Sequence, residues 1–234
     1  MHVWVIRKPA LVCARIFRAR GPGVSLDPEH GYVSRGGVKL RHALDEFEVD
    51  VRGLRCADMG CSTGGFTDCL LQAGAAHVTS IDTGYGVLAW KLRKDARVTV
   101  MERTNALHAA PPAGELEKMD LVVLDTGWTP QRLCLPAAMK WVRAGDRGDQ
   151  GGRIITLIKP HYELEPAEKY LLVGGVLDES EAGRVSQRAL ETMPAIGLRV
   201  IAVTKSPITG SKGAARGNAE WLAMLETPKG QVAK

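Results

Sequence analysis

Aromatic side chains, closely paired cysteines and long apolar runs are all scarce in this chain of 234 residues. Aromatics make up 5% of it, so the core must rest on Val, Leu, Ile and Ala. The five cysteines, Cys13, Cys56, Cys61, Cys69 and Cys134, form no C-x-x-C pair. Disulfide frameworks and zinc sites both need closely spaced partners, so neither is supported and no metal site is expected. No apolar stretch reaches the roughly 18 residues that span a bilayer, so no membrane association is expected. Arg7, Lys8, Arg15 and Arg18 interrupt any apolar core near the start, which excludes a secretory signal. The expected compartment is the reducing cytoplasm.

What is present is ordinary globular composition, 45% apolar and 24% charged in 25.3 kDa, enough for one α/β domain. The net charge of +5 is unevenly spread. Residues 1–42 carry eight Lys/Arg against two acids, and the rest carries 23 against 24. A basic front segment points to an anionic partner, with a phosphate backbone the commonest. A solvated tail, or an Arg-rich targeting peptide over residues 1–20, is the other reading of the same residues.

From residue 54 onward, short apolar runs alternate with amphipathic segments. Strands are predicted at 54–59, 77–82, 97–101, 120–125, 153–158, 198–204 and 219–225, with helical patterns at 65–73, 86–94, 131–143 and 178–195. Val- and Ile-rich runs of four to seven residues bounded by Gly or Asp suit strands buried on both faces, and this alternation predicts a parallel sheet flanked by helices. Residues 1–30 read as a basic arm or linker, 31–228 as the folded domain and 229–234 as a tail. The acid-free stretch KSPITGSKGAARGN (205–218) reads as a basic loop.

The stretch CADMGCSTGGFTD (56–68) closes the first strand and opens the first helix of this series. Glycines there let a ligand approach the backbone, and the helix start offers free N–H groups. Gly64 and Gly65 have a steric reading too, since tight strand–helix turns use glycine for packing. Asp82 ends the second strand, where a carboxylate can accept both hydroxyls of an adenosine ribose. Asn105 follows the third strand and Asp125 ends the fourth. Four strand ends thus converge on one crevice, the place where open α/β sheets bind ligands. Glycines at 60, 64 and 65 do not match the G-x-G-x-x-G spacing of dinucleotide binders. S-adenosylmethionine, which lacks a pyrophosphate, fits better than NAD.

Four separated segments, SRGGVKL (34–40), DMGCSTGGFTD (58–68), LIKPHYE (157–163) and SPITGSKGAARGNAEWL (206–222), together resemble the TlyA/haemolysin A branch of the FtsJ-like methyltransferases. The likeness covers about residues 31–226. It implies a Rossmann-like S-adenosylmethionine-dependent fold, a seven-stranded, mostly parallel sheet with an antiparallel last strand and helices on both faces. It also implies cofactor contacts from Gly60, Ser62, Thr63, Gly64, Gly65, Phe66, Asp82, Asn105 and Asp125. The family's Lys-Asp-Lys-Glu tetrad maps onto Lys39, Asp125, Lys159 and Glu220. The implied activity is 2′-O-methylation of ribose in RNA, with ribosomal RNA or a ribosomal subunit as the partner. The alternative is a catalytically silent protein that binds S-adenosylmethionine and RNA. A membrane-active haemolysin is disfavoured by the absence of any spanning or strongly amphipathic apolar helix.

Methyl transfer from a sulfonium is an in-line displacement, so the protein must align the acceptor oxygen and handle its proton. Lys159 is the expected base, with Lys39 and Glu220 orienting it and the hydroxyl. Burial, a second lysine and the sulfonium charge all lower an ammonium pKa, while Asp125 and Glu220 raise it. Arg35, Arg41, Lys205, Lys212 and Arg216 are candidate phosphate contacts, and Trp128 and Trp221 candidate stacking platforms. His108 and His161 have no partner at ligand spacing and receive no role.

The chain departs from the family in three places. About 30 residues precede SRGGVKL, where the family usually carries a small RNA-binding domain. TGWTPQR (126–132) stands where an apolar stretch is usual. His161 and Tyr162 stand where Gln and Phe are usual.

Overall fold

The computed structural model describes residues 31–111, 118–143, 145, 151–210 and 217–227. The first element is α1 (Gly36–Glu46). Leu40, Ala43, Leu44 and Phe47 recur at helical spacing and form its buried stripe. The helix ends at Glu46, and Glu48 just beyond it has a φ of 53°, in the left-handed region. Val49 N–H donates to Leu44 O and Glu48 N–H to Asp45 O, which satisfies the last carbonyls.

The chain continues through β1 (Arg55–Met59), α2 (Gly65–Gln72), β2 (His77–Ile81), α3 (Trp90–Arg93), β3 (Val98–Met101), β4 (Leu121–Leu124), α4 (Gln131–Met139) and β5 (Arg153–Ile158). Two short 3₁₀ turns lead into a small hairpin, β6 (Leu172–Val173) with β7 (Val176–Leu177). Then come α5 (Glu179–Thr192), β8 (Arg199–Lys205) and β9 (Trp221–Glu226). The main sheet has seven strands in the order β3-β2-β1-β4-β5-β9-β8. The β1–β5 neighbours pair in parallel, whereas β9 runs antiparallel to both β5 and β8.

Alternate residues of each central strand feed opposite sides of the sheet. Leu121, Val123, Ile155, Leu157, Leu222 and Met224 pack with residues of α1 and α2. Val122, Leu124, Ile154, Ile158, Ala223 and Leu225 pack with residues of α4 and α5. The register aligns Met59 with Ile81 and with Leu124, so Gly60, Asp82 and Asp125 leave the sheet at one level. Ile158 pairs with Trp221. The next residues outward are Lys159, leaving β5, and Glu220, entering β9. An antiparallel strand therefore delivers its first residue to the edge where the parallel strands deliver their last.

Candidate active site

The loop from β1 to α2 is shaped by backbone contacts. Gly60 has φ 87°, and a Cβ there would stand 2.6 Å from the Asp125 carbonyl oxygen. Gly64 has φ 100°, with the side chains of Leu88 and Leu92 where a Cβ would go. A Cβ on Gly65 would meet Gly37 N at 2.8 Å and Gly36 Cα at 3.0 Å. Gly64 and Gly65 thus serve the steric purpose, bringing the start of α2 against α1. Phe66 is buried in the core beneath this contact. Ser62 and Thr63 are exposed at the loop crest, Ser62 with φ 49°.

Asp58, below the loop, has no exposed surface, and its Oδ2 accepts from Thr67 N–H at 2.9 Å and Thr67 Oγ1 at 2.7 Å. Burial pushes its pKa up to about 7, against the pull of the Thr67 hydroxyl. Asp82 accepts from Ser62 N–H at 2.9 Å through Oδ2 and from Gly84 N–H at 2.7 Å through Oδ1. Both bonds hold its carboxylate at the strand end. Asn105 is exposed, and its side-chain oxygen accepts from Leu107 N–H at 3.0 Å.

Lys39, Asp125, Lys159 and Glu220 converge at the other half of the crevice. Lys39, on α1, forms an ion pair with Glu220 across 181 residues of sequence. Both are buried, at 8% and 3% exposure. Lys159 pairs with Asp125, and its Nζ also donates to Thr126 O at 3.5 Å. Burial is the largest single influence on Lys159 and acts downward. Asp125, Glu220 and Tyr162 outweigh it, and its pKa lies above the ordinary lysine value. In this form of the protein, Lys159 is a firmly held ammonium. Burial raises Glu220 above the usual carboxylate range despite the opposing pull of Lys39. Asp125 caps no helix, because the residue at the start of α4 is Pro130.

His161, given no role from sequence, lies half-buried beside this group. Burial, Lys159 and Lys39 hold its pKa down at about 4, so its ring is neutral at pH 7. Its ring stacks obliquely on Tyr162 with centroids 4.0 Å apart. Trp128 is 83% exposed and meets Tyr162 edge-on at 6.4 Å. Trp221 instead is partly buried and packs against the core.

The basic candidates divide. Arg35 is exposed near the site and donates to Thr209 O at 2.7 Å. Arg41 is bound by Asp45 on its own helix. Lys205 is paired with Glu179. Lys212 and Arg216 lie outside the described residues, as do the arm 1–30 and the tail 229–234. Sequence reasoning missed Asp58, which is fully buried, and Glu163, which is half-buried, both carboxylates that organise loops. Their signal was an acid immediately beside an apolar strand or turn, which by itself also fits a surface position.

The arrangement fits an adenosyl sulfonium. A carboxylate fixed at the end of β2, exposed hydroxyls on a glycine-shaped loop and a second carboxylate at the end of β4 suit a ribose and a positive sulfur. The family model for FtsJ-like methyltransferases matches residues 32–216. The chain belongs to that family. It is a methyltransferase, and its cofactor is S-adenosylmethionine. A relative among characterised proteins is the 16S/23S rRNA (cytidine-2′-O)-methyltransferase TlyA of Mycobacterium tuberculosis, 39% identical over 87% of this chain and 72% of its own length. A candidate rRNA methyltransferase of Bacillus subtilis, YqxC, is 39% identical over 84% of this chain and 66% of its own. The crystal structure of a candidate hemolysin from Lactococcus lactis superposes with a TM-score of 0.74 at 35% identity, covering 87% of this chain and 92% of that one. The FtsJ-like match ends at residue 216, short of Glu220 and β9. Among the described residues, no helix is long and apolar enough to cross a membrane.

Proposed function

We propose that this FtsJ-like enzyme methylates the 2′-hydroxyl of a ribose in ribosomal RNA, working in the cytoplasm on RNA or a ribosomal subunit. The observation that carries the reading is the pair of ion pairs, Lys39–Glu220 and Lys159–Asp125, set beside a crevice that fits S-adenosylmethionine. The names of the TlyA and YqxC relatives support the choice of ribosomal RNA.

S-adenosylmethionine supplies an electrophilic methyl on a positively charged sulfur. Gly60, Ser62, Thr63 and Asp82 hold its adenosine and amino-acid portions, with Gly64, Gly65 and the Phe66 backbone shaping the loop and Asn105 at the adenine edge. Lys159 is the proton acceptor for the ribose hydroxyl, at Nζ. It rests as an ammonium on Asp125, so it must release its own proton to solvent before it can take another. Lys39 and Glu220 form a fixed dipolar wall that orients the hydroxyl. Trp128 presents an open ring for a base to stack on. Arg35, the arm 1–30, Lys212 and Arg216 supply the phosphate contacts.

The test uses S-adenosylmethionine with a labelled methyl group, with total ribosomal RNA and isolated subunits as acceptors. Label surviving alkaline hydrolysis in resistant dinucleotides is the expected result, because a methylated 2′-oxygen cannot attack the neighbouring phosphate. Label released as single nucleotides would mean base methylation and would overturn the reading. No label on any RNA, with cofactor binding intact, would leave the silent binding protein as the better account.

A further inference from the structure

Glu163 is a half-buried acid that the proposed chemistry does not use. It lies four residues beyond Lys159, after the 3₁₀ turn Pro160–Tyr162. Burial holds its carboxyl above the usual range, while the Gln131 amide, Arg132 and Arg188 pull the other way. Its Oε1 accepts from the backbone N–H of Gln131 at 2.8 Å. Gln131 is the first residue of α4, and the residue before it, Pro130, has no side-chain oxygen with which to cap a helix. Glu163 therefore supplies the missing cap from 32 residues away.

The Gln131 side chain secures the same junction. Its Nε2 donates to Leu157 O at 3.1 Å, and its Oε1 accepts from Thr156 Oγ1 at 2.6 Å. Within the turn, Tyr162 N–H donates to Lys159 O at 2.8 Å and Glu163 N–H to Pro160 O at 2.9 Å. Arg188 of α5 donates to Glu163 O at 3.0 Å. Two chain segments, 125–131 and 159–163, are thus joined at both ends. One end is the Asp125–Lys159 ion pair, and the other is the Glu163–Gln131 hydrogen bond. Trp128 and Tyr162 touch between them.

We propose that Glu163 is a positioning residue: by capping α4 through Gln131 it closes this ring of chain and sets where Lys159 Nζ stands against Asp125 and the acceptor hydroxyl. The inference rests on the reading of Lys159 as the proton acceptor. Misplacement of a reacting group by about 1 Å costs on the order of 100-fold in rate. Reach, not charge, is what the cap requires. An amide oxygen at the same distance can accept the bond, whereas a carboxylate one methylene shorter cannot.

The test compares Glu163→Gln with Glu163→Asp in the full chain. Glu163→Asp is expected to lower kcat by about 10- to 100-fold with the KM for S-adenosylmethionine within about twofold, and Glu163→Gln to stay within about threefold of the parent. In hydrogen exchange, the Gln131 amide is expected to lose about tenfold protection in Glu163→Asp, with β1 and β2 unchanged. A Glu163→Asp enzyme with parental kcat would overturn the proposal. So would a Glu163→Gln enzyme slowed by more than tenfold, a result that remains decisive if the Asp variant does not fold. If the parent itself transfers no methyl to RNA, the Lys159 reading fails. Exchange at Gln131 then decides the cap alone, and unchanged protection in Glu163→Asp refutes it.

Discussion

On the β1–β3 side of the crevice, the polar groups are held by the main chain. Asp82 is fixed by the N–H groups of Ser62 and Gly84, Asn105 by that of Leu107, and the loop itself by glycines whose missing Cβ atoms admit neighbouring chain. On the β4–β9 side, the groups are held by one another, as Lys39 on Glu220 and Lys159 on Asp125. The first half is a mould for a ligand of fixed shape. The second keeps charge out of water and ready to move. Backbone geometry tolerates side-chain change and resists glycine change, whereas an ion-paired set fails when any one member is removed.

The widest separation of the two halves is expected from Lys159→Ala. Loss of a proton acceptor costs about 100- to 10,000-fold in rate, while binding of S-adenosylmethionine, measured by calorimetry, should stay within about threefold. An Arg at 159 should fail as badly, because guanidinium does not release its proton. Since Asp125 and Glu220 raise the Lys159 pKa, the reactive free amine is a small fraction at pH 7, and that fraction grows about tenfold per pH unit. The rate should therefore climb with that slope from pH 7 to 9. A flat profile in a chemistry-limited assay would remove Lys159 as the base.

Next in size is the buried pair. Lys39→Met or Glu220→Gln alone leaves one buried group without its partner, an expected loss of about 3–5 kcal/mol in urea unfolding. The double variant should regain much of that stability while remaining inactive. A loss in the double variant equal to the sum of the two single losses would mean that the pair is not coupled. Gly60→Ala joins both halves, since its Cβ would strike the Asp125 carbonyl at a φ of 87°. About 1–3 kcal/mol of stability should go, with both cofactor affinity and rate reduced. Asp82→Asn is the mildest. It keeps an oxygen to accept one backbone bond, and about tenfold weaker cofactor binding is expected, roughly 1.4 kcal/mol.

The same division governs what could be read from sequence. The seven strands are legible to within a residue or two, because each is a short run rich in apolar residues bounded by turn or polar residues. Helix α1 is not, although it carries Lys39. It begins Gly-Gly, its N-cap Arg35 provides no side-chain bond, and a buried lysine interrupts its apolar stripe. The pattern at 86–94 contracts to Trp90–Arg93 because Gly86, with φ 70°, keeps the preceding segment out of a helix. The one at 131–143 ends at Met139, after which Trp141 turns into the core. The β6–β7 hairpin is too short to leave a period.

Among the site residues, spacing located Asp82 and Asp125 at strand ends. Only motif resemblance connected Lys39 with Glu220, because no local rule links residues that far apart. Phe66, expected to contact the cofactor, has its side chain packed in the core. Arg41 and Lys205, expected at phosphate, are already held by acids. The net effect on Lys159 also needed coordinates, since burial and carboxylates act in opposite directions.

The reversed direction of β9 has a consequence in time. As the chain leaves the ribosome, β1 to β5 and the glycine-shaped loop can assemble from neighbouring segments. Lys39, already on its helix, must wait for Glu220, 181 residues behind it. That long loop closure makes the acceptor half slow to form, and until then an ammonium faces a place it cannot be buried alone. A newborn chain should therefore acquire cofactor binding before it acquires the ability to transfer a methyl group, so that the donor pocket matures ahead of the reactive one.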